Sequence, residues 1–125
     1  MDENQLATIV VDLSYHIHKQ YGPGLLESVY EEILCYELKQ RCLSIERQKP
    51  IPLAHKEIFI PLAFRADLIV NNKLLIELKS VETLPKLYHK IVLTYLTLTN
   101  LKLALLINFN VEFLKDGVRR IVNNL

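Results

Sequence analysis

Apolar residues recur at helical spacing at the start of the chain, with Leu6, Ile9, Val10, Leu13 and Ile17 forming one stripe that ends before Tyr21-Gly22-Pro23-Gly24. A second stripe, Leu26, Val29, Tyr30, Ile33, Leu34 and Leu38, predicts a second amphipathic helix, with Glu27 bordering its buried face one turn from Tyr30 and Glu31. The period then drops to two. Leu43 to Lys49 and Ile58 to Leu62 read as strands, and Pro50, Pro52 and Pro61 confine them to edges or strand ends. Phe64 to Val70 and Leu74 to Lys79 alternate as a hairpin around Asn71-Asn72-Lys73. A third helix carries Leu87, Tyr88, Ile91, Val92, Tyr95 and Leu98 inward, with Pro85 in its first turn. Leu103 to Phe109 is continuously apolar, as a central strand covered on both faces must be, and Lys115-Asp116-Gly117 turns the chain into a last strand, Val118 to Val122. The predicted order α-α-β-β-β-β-α-β-β belongs to the α/β (α+β) class, a mixed β-sheet flanked by helices.

The hairpin carries the chemistry, and its register decides what that chemistry is. A two-residue turn at Asn71-Asn72 would pair Asp67 with Ile76 and mix charge into the apolar face. A three-residue loop pairs Val70 with Leu74 and Asp67 with Glu77. It sets Phe64, Ala66, Leu68, Val70, Leu74, Ile76 and Leu78 on one face and Arg65, Asp67, Glu77 and Lys79 on the other. The three-residue loop is the expectation, with Asn72 or Lys73 left-handed. Two carboxylates then stand opposite each other, where like charges cost up to roughly 1 kcal/mol. A divalent cation between them would offset this, and hard oxygen ligands suit Mg²⁺ or Mn²⁺. The alternative from spacing alone is a solvated face on which Arg65 and Lys79 pair with the acids.

Composition narrows the rest. At 125 residues the chain is expected to be one domain, residues 1–125. Half the residues are hydrophobic and mean hydropathy is +0.17, which points to surface buried in self-association, and a homodimer is expected. No apolar run approaches the ~20 residues of a membrane span and no signal-peptide pattern opens the sequence, so the protein reads as cytoplasmic, without a membrane partner. Cys35 and Cys42 read as reduced thiols, and His16, His18, His55 and His89 form no local ligand set. Net charge is only +1, so any nucleic-acid contact is weak or local. Lys86 and Lys90, with Lys115, Arg119 and Arg120, are its candidates, a solvated face being the other reading.

Several segments together resemble a known family. Gly24-Leu25-Leu26-Glu27-Ser28-Val29-Tyr30 is similar to the signature of the GxxExxY proteins, which resemble the PD-(D/E)XK nuclease superfamily. Gln48-Lys49-Pro50-Ile51, Asp67-Leu68, Glu77-Leu78-Lys79, Leu106 to Asn110 and Leu114 to Gly117 look like family segments in family order. The resemblance implies a restriction-endonuclease-like αβββαβ core and a Mg²⁺-dependent nuclease acting on DNA, with RNA as an alternative. It implies that Asp67, Glu77 and the Leu78 backbone carbonyl hold Mg²⁺, with Mn²⁺ as a substitute. Lys79 would then be catalytic, and Glu27 would complete the acidic cluster through water or steady Lys79. Tyr30, His89 and Tyr95 are supporting candidates, although Tyr30 also reads as a core aromatic, His89 as a surface histidine, and Glu27 as a helix acid bonded to Tyr30 or backbone. The family pattern places a Gln four residues before the tyrosine of the third helix, and here Ile91 stands there with Tyr95. Isoleucine cannot hydrogen-bond, so Lys90 or His89 would have to substitute. A catalytically weak or inactive nuclease-fold binding or oligomeric scaffold is therefore the second reading.

Overall fold

The computed structural model describes residues 1–125. Helix α1 spans Glu3–Tyr21 and opens with a reciprocal cap between Asp2 and Gln5 that satisfies two of the helix's free N–H groups. It ends at Gly22, whose φ of 72° leaves the helical region. Helix α2 spans Glu27–Gln40. Strands β1 (Ile45–His55), β2 (Ile58–Val70) and β3 (Leu74–Lys79) follow, then α3 (Leu87–Thr99), β4 (Leu103–Asn108), a 3-10 turn at Leu114–Asp116 and β5 (Val118–Val122). The sheet order is β1-β2-β3-β4-β5, with β3 and β4 parallel and every other pair antiparallel. The mixed sheet flanked by helices is the expected α+β architecture, consistent with a restriction-endonuclease-like fold.

Two cores result. Leu6, Val10, Leu13 and Ile17 of α1 and Tyr30, Leu34 and Leu38 of α2 close over Leu68, Val70, Leu74, Ile76, Leu78, Leu103, Leu105 and Ile107. On the opposite face, Val92 and Leu96 of α3 cover Ile51, Ala66, Ile69, Leu75, Ala104, Leu106 and Ile121. β3 and β4 are almost wholly buried, which is why their sequences carry apolar residues at consecutive positions.

Three expectations need correction. The strands foreseen at Ile58 to Leu62 and Phe64 to Val70 are one strand, β2, so three strands precede α3 instead of four. Pro61 does not interrupt it, because the β1–β2 register shifts between Ile51 and Leu53 and the proline lies beside that irregularity. β1 likewise runs past the expected end at Lys49, through Pro50 and Pro52 to His55, and it lies at the sheet's edge as those prolines require. Pro85 stands just ahead of α3, its carbonyl accepting the Tyr88 N–H at 3.1 Å.

The hairpin register is the expected one: Val70 pairs with Leu74, Ile69 with Leu75 and Leu68 with Ile76. Asn71 and Asn72 are both left-handed, at φ 50° and 53°, whereas Lys73 is not. The facing of β2 differs from simple alternation. Leu68 and Val70 pack under α1 and α2, but Ala66 joins Ile69 in the α3 core and Phe64 packs there too. Ala66 and Ile69 are three apart, so the strand changes facing at Asp67.

Candidate active site

Asp67 lies where β2 changes facing, and Glu77 and Lys79 lie near the end of β3 on the face that Leu75 shares with α3. The ladder between the strands stops at Leu68 and Ile76. Beyond it side chains take over the bonding: the Asp67 N–H donates to Glu77 Oε1 at 3.3 Å, and the Leu78 N–H donates to Asp67 Oδ2 at 2.9 Å. The two acids therefore meet, as the register required. Neither forms an ion pair with Arg65 or Lys79, so the solvated cross-strand ion-pair arrangement is not what the structure shows.

The electrostatics reflect that meeting. Burial, reinforced by the Asp67 charge, pushes the Glu77 carboxyl up to about 8. Burial also raises Asp67, against the lowering effect of its bonds from Leu78 and Gln48. No set of three His, Cys, Asp or Glu side chains converges as a ready-made metal cage. Two carboxylates that repel each other, Glu77 buried and Asp67 partly so, are nevertheless a donor set that fits a hard divalent cation, with backbone carbonyl and water filling the remaining positions.

Lys79 is half-buried, its Nζ 4.5 Å from the centre of the Tyr88 ring. Burial works against its charge, but contact with Tyr88 and the negative charges of Glu27 and Glu77 outweigh it and raise its pKa. Lys79 is thus held charged at the acids' side. Sequence patterning placed Tyr88 only in the inner stripe of α3 and singled out His89 instead. His89 is exposed and its side chain makes no hydrogen bond, whereas Tyr88, one residue earlier, turns toward β3. Tyr95 is half-buried and stacks on Phe64 with ring centres 3.8 Å apart. Burial, then the Glu77 charge, raises its pKa. Ile91 lies one helical turn from Tyr88 and from Tyr95 and is partly buried, while Lys86 and Lys90 are exposed.

Helix α2 brings in its acids from the other face. Glu27 is exposed and accepts the Ser80 N–H at 3.3 Å, fixing the backbone just after Lys79. Ser80 Oγ adds a bond to the Leu25 carbonyl at 2.7 Å. Tyr30 is fully buried and stacked on Phe109, and its hydroxyl donates to the Gly22 carbonyl and accepts the Leu25 N–H. It is a core aromatic that anchors the turn ahead of Glu27, and it does not reach the acids. Asn108, buried at the end of β4, exchanges hydrogen bonds with the Val81 backbone and so pins the segment after Lys79.

Glu31 was not singled out from the sequence, yet it is the buried acid of α2. It pairs with Arg47 at 2.6 Å and accepts from Gln48 Nε2 at 2.6 Å, and the same Gln48 nitrogen reaches Asp67 Oδ1 at 3.1 Å. The usable signal was its spacing: Glu31 follows Glu27 by one turn, beside Tyr30 on the buried stripe. Glu27, Ser28, Glu31, Arg47, Gln48, Asp67 and Leu78 line a cleft of about 420 Å³. A more apolar groove of about 640 Å³ between α1 and the β4–β5 edge shares no residue with it.

Comparison with known proteins gives one match. The model of the PD-(D/E)XK nuclease superfamily matches residues 4–121. No curated protein and no solved structure matches the chain.

Proposed function

Because the chain belongs to the PD-(D/E)XK nuclease superfamily, whose members are usually nucleases that use divalent metal ions, we propose that it is a single-domain, Mg²⁺-dependent nuclease. Its substrate on this reading is DNA, with RNA as the alternative, and Mn²⁺ substitutes for Mg²⁺. The observation that carries the proposal is the contact of Asp67 with Glu77 beside a charged Lys79.

Asp67, Glu77 and the Leu78 backbone carbonyl would hold the cation, with Glu27 joining through water. Bound there, it would polarise the scissile phosphate and lower the pKa of water. The chain's own residues do the rest. Lys79 Nζ, kept protonated and fixed against Tyr88, meets the charge that builds on the phosphoryl oxygens. Glu27 holds the Ser80 N–H and thereby the backbone that carries Lys79. Tyr95 closes the α3 side of the acids by stacking on Phe64, and Lys86 and Lys90 contribute a weak, local phosphate contact.

Homodimerisation forms part of the reading. Beyond the sheet, β1 and β2 continue as a two-stranded arm on which Ile58, Phe59, Ile60 and Leu62 are exposed. Between Ile51 and Phe64 the arm has one lysine, one glutamate and one histidine, so it is suited to an apolar partner surface and not to phosphate. A cytoplasmic setting accords with the free thiols of Cys35 and Cys42. No helix is long and apolar enough to cross a membrane.

The second reading, a nuclease-fold scaffold without useful activity, draws on Ile91, which offers no polar atom on the α3 row shared with Tyr95. Cleavage of plasmid and single-stranded substrates with Mg²⁺ or Mn²⁺ separates the two. The nuclease reading expects the parent to cut, and Lys79→Ala and Asp67→Asn to be slower by factors of at least about 100, the scale of losing a principal electrostatic contact. An inert parent, or three proteins that cut alike, would replace it with the scaffold.

A further inference from the structure

Gln48 holds a backbone conformation that glutamine rarely adopts. Its φ is 51°, left-handed, in the middle of strand β1. On either side the ladder is regular, with Arg47 paired to Leu68 and Lys49 to Ala66, and the position facing Gln48 is Asp67. Such strain persists where surrounding contacts enforce it, and these are on view. Nε2 donates to Glu31 Oε1 at 2.6 Å and to Asp67 Oδ1 at 3.1 Å. The second Glu31 oxygen is taken by Arg47 Nε at 2.6 Å, so the buried acid anchors two consecutive residues of β1.

The consequence falls on Asp67. One of its oxygens is held by the Gln48 amide and the other by the Leu78 N–H, donors from two different strands. Two fixed donors define the plane and rotation of a carboxylate, and the remaining lone pairs are left for a ligand. The choice of donor is also constrained. Lysine or arginine in place of Gln48 would pair with Asp67 and compete with a cation. A neutral amide orients the carboxylate and leaves its charge available.

We propose that Gln48, clamped by Glu31, is a positioning residue that presents the Asp67 carboxylate to a divalent cation. The proposal rests on the metal-dependent reading above and adds to it a residue outside the Asp, Glu-x-Lys set.

The test is Mn²⁺ affinity by titration calorimetry without nucleic acid, beside thermal unfolding without metal, on the parent, Gln48→Gly and Lys49→Ala. Glycine accepts the left-handed backbone and removes only the amide, so the metal-free melting temperature should hold or rise. Mn²⁺ affinity should fall about 10- to 100-fold, as for loss of a ligand-orienting hydrogen bond, while Lys49→Ala should bind like the parent. In cleavage, Gln48→Gly should regain rate as Mn²⁺ is raised. Unchanged Mn²⁺ affinity in Gln48→Gly would overturn the proposal and leave the nuclease reading standing. A melting temperature that drops in step with affinity would assign Gln48 to the scaffold and overturn it equally. A parent that binds no Mn²⁺ would remove the metal-dependent reading and this inference with it.

Discussion

The backbone N–H of Asp67 donates to the side chain of Glu77 at 3.3 Å, at the step where the β2–β3 ladder ends. The strands part where the two acids face each other, and a side-chain bond replaces the next rung. The same parting lets Asp67 reach the Leu78 N–H at 2.9 Å.

The first expected outcome is a pH dependence. The Glu77 carboxyl, ordinarily near 4.5, is raised to about 8 in the fold by burial and by Asp67. Between those values the folded chain keeps a proton that the unfolded chain has lost, so stability falls as pH rises through this window and levels off above it. The slope from this one group is at most about 1.4 kcal/mol per pH unit. Urea unfolding of the metal-free protein at pH 5, 6.5 and 8 should show the decline, and millimolar Mn²⁺ should reverse it at pH 8. Stability that rises steadily over this range would contradict the assignment.

Replacing Asp67 by Asn should separate stability from function. The amide oxygen can still accept from Leu78, and relief of the repulsion with Glu77 offsets the lost bond from Gln48, so metal-free stability at pH 8 should stay within about 1 kcal/mol of the parent. A loss of more than about 2 kcal/mol, the scale of an unsatisfied buried polar group, would show that Asp67 is a structural hydrogen-bond hub instead.

Tyr30→Phe should act in the opposite sense. Its hydroxyl serves two backbone groups, the Gly22 carbonyl at 2.6 Å and the Leu25 N–H at 3.1 Å, in the turn that leads to Glu27. Removing it should cost about 1–3 kcal/mol in denaturant unfolding and leave Mn²⁺ affinity within a few-fold of the parent. A selective loss of metal binding at full stability would move Tyr30 into the site.

The exposed arm predicts association. Phe59, 66% exposed, and Ile58, 60% exposed, are its most accessible large apolar side chains. Sedimentation velocity should give a dimer for the parent and a monomer for Phe59→Lys, with an unchanged melting temperature for the isolated chain. A monomeric parent at tens of micromolar would remove the homodimer from the account.

Much of this arrangement was legible in the chain. The hairpin register followed from parity, because a one-residue slip would have paired Asp67 with Ile76 and set it on the face of Leu74, Ile76 and Leu78. The helices followed from apolar stripes whose members recur every three to four residues. The facing change at Asp67 was not legible, because Phe64 to Leu68 alternates strictly and the apolar run Leu68-Ile69-Val70 does not say where the facing shifts; the change falls where Gln48 of the neighbouring strand β1 meets Asp67. The fusion of two expected strands into β2 was hidden by Pro61, which signals a break unless the neighbouring register shift is known. Glu31 was hidden by its charge, since an acid on a helix is ordinarily placed in water, and its partners Arg47 and Gln48 lie on another element. Tyr88 fits the apolar stripe and so reads as core from the sequence, whereas its ring face serves Lys79 as well.

The central claim is that Asp67 and Glu77 share a divalent cation and that Lys79 acts beside it without binding it. Mn²⁺ titration calorimetry at pH 8 on the parent, Asp67→Asn and Lys79→Ala tests this most directly. The account predicts a Mn²⁺ site in the parent, its loss or at least about 100-fold weakening in Asp67→Asn, and its retention in Lys79→Ala. No binding by the parent, or equal binding by all three proteins, would contradict it.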